Sequence, residues 1–369
     1  MIDLHFNSLT AKWISLIKSG LLLFKSQKRL LSVFSQPILG AFVSGLCLSL
    51  LFAACTPNKS ANPADTSASN TSQSKASVVK FGYQKSAILI NAKGVLEKRL
   101  QPEGVSVQWI EFPAGPQLLE AMNVGSIDFG HAGESPPIFA QAAGASLTYI
   151  AGIAPSPAGQ ALLVSQNSPI KTLADLKGKK ITFQKGSSAH YFVVQLLEKA
   201  GLQYSDIQPV YLPPADARAA FVKGSLDAWA IWDPFYAAAE KNTNARVLID
   251  GRSVNGQGGY YLASRKFATE NPQTVKAILE EIKKLEDWSS KHREAVAETL
   301  APVLGIDLEI MKKATDRKSF GVVPIDEQLI AKQQKVADTY YQLKLIPKQI
   351  DVKEAMLKPE QYAALSPKI

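Results

Sequence analysis

The chain has 369 residues, 46% hydrophobic and 20% charged, so it can bury more than one core and is not fibrous or wholly unstructured. Its formal charge of +9 is no nucleic-acid signature: five basic residues (Lys12, Lys18, Lys25, Lys28, Arg29) and one acid (Asp3) precede residue 55, and later charges alternate in sign without a basic run. Cys47 and Cys55 are the only cysteines, which excludes a disulfide framework or a cysteine metal site in the rest of the chain.

Residues 1–54 read as a targeting segment. Basic residues end at Lys28-Arg29, and an apolar run from Ile38 to Ala54 stops at small residues, the pattern of a secretory signal. Phe52-Ala53-Ala54-Cys55 resembles a bacterial lipobox, with Phe52 where leucine is usual. That resemblance implies cleavage before Cys55, a lipid on its sulfur, and a membrane anchor. Residues 55–77 are Ser, Thr, Asn, Ala and Pro with almost nothing apolar, a flexible tether.

From Val78 the chain alternates short strands and helices. The first block reads strand Val78–Tyr83, helix Ile88–Leu100, strand Val105–Phe112, helix Pro116–Asn123, strand Ile127–Gly130, helix Pro136–Ala143, and strands Leu147–Ile153 and Ala161–Val164. After Ser168-Pro169 the pattern restarts: helix Leu173–Leu176, strand Lys180–Gln184, helix His190–Ala200, strand Pro209–Leu212 and helix Ala215–Lys223. Strand Ala228–Ile231, helix Pro234–Glu240 and strand Arg246–Ile249 complete it, and strand Tyr260–Ala263 follows a glycine-rich turn. Such alternation implies mainly parallel sheets. From Pro272 onward the pattern is helical, with no further sheet.

The second block echoes the first. Gly125–Phe139 (GSIDFGHAGESPPIF) and Gly224–Tyr236 (GSLDAWAIWDPFY) both open Gly-Ser-aliphatic-Asp. Each then places an acid beside proline, in Glu134-Ser135-Pro136 and in Asp233-Pro234. Upstream, Tyr83-Gln84-Lys85-Ser86 matches Phe183-Gln184-Lys185-Gly186. Order-matched copies predict two similar α/β lobes with a ligand between them. The boundaries expected are 78–165 and 259–369 for a discontinuous lobe 1 and 166–258 for lobe 2, with crossings near Val164–Pro169 and Asp250–Gly259.

Gly186-Ser187-Ser188-Ala189-His190-Tyr191 follows a strand and opens a helix. Small residues, hydroxyls and free N–H groups at a helix start favour an anion, the alternative being a plain serine cap. Gly133-Glu134-Ser135 opens a helix in the other lobe, with proline in its first turn. Two such ends aimed at one cleft favour anion binding, with His190 an additional donor. Glu134 and Asp233 hold loop backbone or a ligand's amine end rather than act as a catalytic pair, because no other hydrolase parts accompany them. Trp232, beside Asp233, is the aromatic wall for a ligand's carbon chain, while Trp229 and Tyr261 read as core. No histidine pair has metal-ligand spacing, and no cofactor fingerprint is present.

FGYQKS, EFPAGPQLLEAMNVGSIDFG, GESPPIFAQAAG, DLKGKKITFQKGSSAHY, LPPADARAAF and GSLDAWAIWDPFYAAAEK together resemble the substrate-binding proteins of aliphatic sulfonate ABC importers, from Val78 to about Val322. The wider family includes taurine, nitrate and thiamine-precursor binders. The resemblance implies a type II periplasmic-binding-protein fold, capture of an alkanesulfonate outside the cytoplasm as a monomer, and delivery to an ABC permease with a cytoplasmic ATPase. The site residues it implicates are Gln84, Gly133, Glu134, Ser135, Ser187, Ser188, His190, Trp232 and Asp233, and the lipidation of Cys55 rests on the lipobox alone, since many members of the family are soluble. His131-Ala132 departs from the small or hydroxyl residues of relatives. Taurine, nitrate or a pyrimidine precursor are alternative cargoes. An enzyme on the same fold, such as a pyrimidine synthase, needs a cysteine-rich iron site that a mature chain with only Cys55 cannot build.

Overall fold

The computed structural model describes residues 77–365, except 255 and 257. The targeting segment, Cys55 and all but the last residue of the tether lie outside the described residues. In chain order the first elements are β1 (Val78–Tyr83), α1 (Leu89–Ala92), α2 (Val95–Leu100), β2 (Ser106–Glu111), α3 (Gly115–Asn123), β3 (Phe129–Ala132), α4 (Ser135–Ala142) and β4 (Leu147–Ile153). Next come β5 (Gln160–Ser165), β6 (Lys180–Phe183), α5 (Ser188–Lys199), β7 (Gln208–Tyr211), α6 (Pro214–Val222), β8 (Ala228–Trp232), α7 (Phe235–Asn242), β9 (Ala245–Asp250) and β10 (Tyr260–Ser264). The remainder is α8 (Arg265–Glu270), α9 (Pro272–Lys291), α10 (Arg293–Leu304), α11 (Leu308–Arg317), β11 (Val322–Val323), α12 (Glu327–Gln342) and α13 (Pro359–Leu365).

The strands form two sheets, ordered β11-β4-β10-β3-β1-β2 and β7-β6-β8-β5-β9. Each has a parallel heart, β2-β1-β3 in one and β7-β6-β8 in the other, as the strand–helix alternation predicts. The expectation of mainly parallel sheets holds only there. β10 runs antiparallel to β3 and β4, and β5 runs antiparallel to β8 and β9. These are the strands on which the chain arrives from the other lobe, so they enter each sheet against its direction.

β5 corrects the expected boundary. The sequence pattern puts it in the first lobe, but its partners lie wholly in the second sheet, so the first crossing occupies residues 154–159 and the second 251–259. Its apolar run Ala161–Val164 suits burial in either sheet, and Ser168-Pro169 punctuates an ordinary loop. The helix expected over Ile88–Leu100 is divided at Gly94, whose φ of +59° interrupts helical geometry. Leu173–Leu176 shortens to one 3-10 turn at Ala174–Leu176. The C-terminal part is helical except for β11, which covers the end of β4 at Gly152 and Ile153.

Apolar side chains fill both faces of each sheet. Phe81 on β1 and Phe129 on β3 are buried with ring centroids 5.2 Å apart, and each contributes about 1.5–3 kcal/mol by burial. The amphipathic helix α9 covers this face with Val275, Ile278, Leu279 and Ile282. α10 and α11 pack on α1 of the first lobe through Val296, Leu300 and Met311. α11 also meets α7 of the second lobe, where Ile310 and Ala314 pack on Ala237. The C-terminal helices therefore touch both lobes.

Candidate functional site

The sequence echo has a common structural cause. In the first lobe α3 ends at Asn123, Gly125 takes φ +73°, and the Asp128 carboxylate accepts the Lys80 N–H at 2.9 Å. In the second, α6 ends at Val222, Gly224 takes φ +73°, and the Asp227 carboxylate accepts the Lys180 N–H at 2.8 Å. Each Gly-Ser-aliphatic-Asp stretch thus stops a helix with a left-handed glycine and clamps two parallel strands at their starts. The far ends of β3 and β8 then carry Gly133-Glu134 and Trp232-Asp233 to the cleft.

Two helix N-termini meet there, one from each lobe. A Cβ built on Gly133 would lie 1.7 Å from Ser188 Oγ and 3.8 Å from Ser188 N, so no side chain fits between the starts of α4 and α5. Pro136 and Pro137 occupy the opening turn of α4, where a missing N–H costs nothing. The first N–H groups of α5 have no intrahelical acceptor and carry the positive end of its dipole.

Glu134 lies between these ends, buried, with its carboxylate accepting from the Ser135 hydroxyl at 3.2 Å, from the Ser188 hydroxyl across the cleft, and from its own N–H. Burial outweighs those bonds and pushes the carboxyl up to about 7. Asp233 is also pushed up to about 7 by burial, against the pull of Arg317 at 3.6 Å. Its Oδ1 accepts the Ala237 N–H at 2.9 Å, while Oδ2 is buried without a partner among the described residues. His131 Nε2 is similarly unpartnered, and burial, with Lys318 nearby, holds that imidazole neutral by lowering its pKa to about 3.

A cavity of about 240 Å³ occupies the cleft. Gln84, Gly133, Glu134, Ser187, Ser188, Trp232 and Asp233 line it, so seven of the nine residues singled out from sequence converge. Gln84 is oriented by donating to the His131 carbonyl at 2.9 Å, and Ser187 by donating to the Gln184 carbonyl at 2.7 Å.

Two expected residues do not line it. Ser135 is wholly buried behind Glu134, accepting from the Tyr340 hydroxyl at 2.9 Å, and serves to hold that carboxylate. His190 is wholly buried as well. Its Nδ1 accepts the Gly186 N–H at 3.1 Å, which leaves the proton on Nε2 to meet the Tyr204 hydroxyl at 2.9 Å. The ring packs on Phe183 and Tyr340 at 4.9 and 5.2 Å, and burial lowers its pKa to about 3. It is a neutral core residue that fixes the Gly186 turn, not an anion donor. Its position within the first turn of α5 places it on the face toward the lobe core.

Sequence reasoning missed the cavity's other side, where α1, α10 and α11 contribute Leu89, Val296, Leu300 and Met311, and the following loop Lys318 and Phe320. Helical spacing alone makes Val296, Leu300 and Met311 ordinary apolar positions on amphipathic helices, with nothing to distinguish them as cavity-lining. Tyr261, expected in the core, is buried there and also borders the cavity. Trp229 is in the core as expected. Among the described residues no group of three or more His, Cys, Asp or Glu could hold a metal.

The NMT1/THI5 like family model matches residues 100–295. A putative aliphatic sulfonates-binding protein of Escherichia coli (strain K12) is 45% identical over 293 residues, covering 78% of this chain and 91% of the relative. The chain belongs to this family. A second putative aliphatic sulfonates-binding protein, from Bacillus subtilis (strain 168), is 32% identical over 282 residues, covering 75% of this chain and 85% of its own. Among solved structures, the alkanesulfonate-binding protein SsuA from Xanthomonas axonopodis pv. citri bound to MOPS is 42% identical, with a TM-score of 0.74. That likeness covers 77% of this chain and 99% of the other, and it matches the two-sheet α/β architecture described above. No described helix is long and apolar enough to cross a membrane.

Proposed function

We propose that this protein is the extracytoplasmic binding component of an ABC importer, capturing aliphatic sulfonates rather than transforming them. The observation that carries the reading is the meeting of two opposed helix starts at Gly133 and Ser188, in a chain 45% identical to an aliphatic sulfonates-binding protein. A sulfonate stays anionic at any physiological pH, so N–H groups and hydroxyls hold it without a proton of its own. Gln84, Gly133, Glu134, Ser187, Ser188, Trp232 and Asp233 form its binding surface in this reading. Cross-lobe contacts would then cover the ligand, and the closed form is what a permease partner distinguishes. The protein acts as a monomer, tethered by residues 55–77 to a lipid on Cys55, within the lobe boundaries 78–153 and 260–369 against 160–250.

Calorimetric titration with ethanesulfonate, taurine and nitrate tests the cargo: saturable binding of ethanesulfonate is expected, and silence toward every sulfonate would remove the assignment. Cys55→Ala tests the anchor, since the full-length variant should leave the membrane fraction while the wild type stays in it.

A further inference from the structure

The anion end accounts for only part of the cavity. Leu89, Val296, Leu300 and Met311 form another wall, each buried to within 7% exposure or less. These four belong to one apolar cluster between α1, α10 and α11. Their side chains offer nothing to a sulfonate, and water against them would be poorly satisfied. The cavity's 240 Å³ also exceeds the roughly 150 Å³ of a dry apolar cavity that takes up benzene. An anion with only two carbons would leave that wall uncovered.

Building on the functional reading above, we propose that this apolar arm receives the hydrocarbon end of an alkanesulfonate of several carbons, and that Val296, Leu300 and Met311 set the preferred chain length. In this reading the two opposed helix starts supply the anion end and the C-terminal helices the tail specificity. Trp232, on the second lobe, borders the same cavity and does not by itself provide this wall.

The test is calorimetry of the full chain against ethane-, butane- and hexanesulfonate. Each methylene that leaves water for the arm should tighten binding about fourfold, from roughly 0.8 kcal/mol per buried CH₂. Val296→Phe should fill the arm and flatten the series, weakening hexanesulfonate by a larger factor than ethanesulfonate. A flat or falling affinity from ethane- to hexanesulfonate in the wild type would overturn the proposal, whether or not the variant folds. Equal loss for short and long ligands in a folded Val296→Phe would overturn it too. Failure of all three to bind would instead sink the sulfonate reading on which it rests.

Discussion

Glu134→Gln is the substitution whose outcome the geometry constrains most. The carboxyl sits between two helix starts, yet burial moves it from its ordinary 4.5 up to about 7. Its folded-state pKa is therefore above its unfolded one, and the native state binds more protons. Stability is undiminished below about pH 4.5, falls as pH rises through 7, and stays lowered beyond it. The rise from 4.5 to about 7, at about 1.36 kcal/mol per tenfold change in proton affinity, sets the effect at roughly 3 kcal/mol. The amide that replaces the carboxyl carries no charge, so the variant should match the wild type at pH 4.5 and exceed it at pH 8 by up to about 3 kcal/mol. Bound sulfonate adds a like charge nearby, so wild-type affinity should fall above pH 7 and the variant's should fall less. Urea denaturation at the two pH values reads the first effect. Calorimetry of ethanesulfonate between pH 6 and 8.5, in buffers of different ionisation enthalpy, reads the second as proton uptake that the variant reduces. Asp233, also pushed up to about 7, leaves a residual slope in both proteins, so the difference between them is the quantity that counts. A stability difference identical at both pH values would refute the reasoning.

Three further perturbations separate closure from packing. Gly133→Ala places a Cβ 1.7 Å from Ser188 Oγ and 3.1 Å from its Cβ, so the hydroxyl must rotate off Glu134 and the lobes must part slightly. Losing that charge-assisted bond costs about 1.5–3 kcal/mol, or about ten- to a hundredfold in ethanesulfonate affinity. Wild-type affinity in this variant would contradict the close approach. Arg317, on α11, bonds Glu240 of α7 at 2.6 Å and stacks 3.8 Å above the Tyr236 ring, joining the C-terminal helices to the second lobe. Arg317→Met should widen the ligand-free protein in small-angle scattering and weaken binding about tenfold, and an unchanged scattering profile would show that this pair does not hold the lobes. His190→Ala removes a packed ring and leaves the Gly186 N–H unpaired, so unfolding should become easier by about 2–4 kcal/mol. Its ethanesulfonate affinity should stay within about threefold; a selective loss of affinity at unchanged stability would restore His190 to the site.

The architecture is legible because its determinants are local. Gly125 and Gly224 stop helices, and Asp128 and Asp227 tie strand starts, all within stretches of four residues whose likeness can be read directly. Strand polarity is not legible at β5 and β10, because a buried apolar run such as Ala161–Val164 reads the same in either direction and in either sheet. The expected crossing accordingly falls a strand too late, at the Ser-Pro pair, which is a strong turn signal wherever it occurs. β11 escapes for another reason: two valines have no periodicity, and only the open edge of β4 makes them a strand.

For the site, proximity in sequence to a helix start is a sound guide to which segments reach the cleft and a poorer one to which side chains do. Gly133, Glu134, Ser187 and Ser188 line the cleft where the two helix starts face each other. Ser135 and His190 lie within the turn itself, and the helical rotation of about 100° per residue swings them toward Tyr340, Phe183 and Tyr204. A histidine beside two serines therefore looks like a donor while its chemistry is spent inside: one ring nitrogen holds the turn, the other a buried hydroxyl. The same reasoning explains the apolar side of the cavity. Val296, Leu300 and Met311 lie more than a hundred residues from the Gly186 turn, and no local pattern distinguishes a side chain that packs against a core from one that packs against a ligand. What distinguishes them is the opening that α1, α10 and α11 leave between them, so the anion end of this site is written in motifs and its tail end in packing.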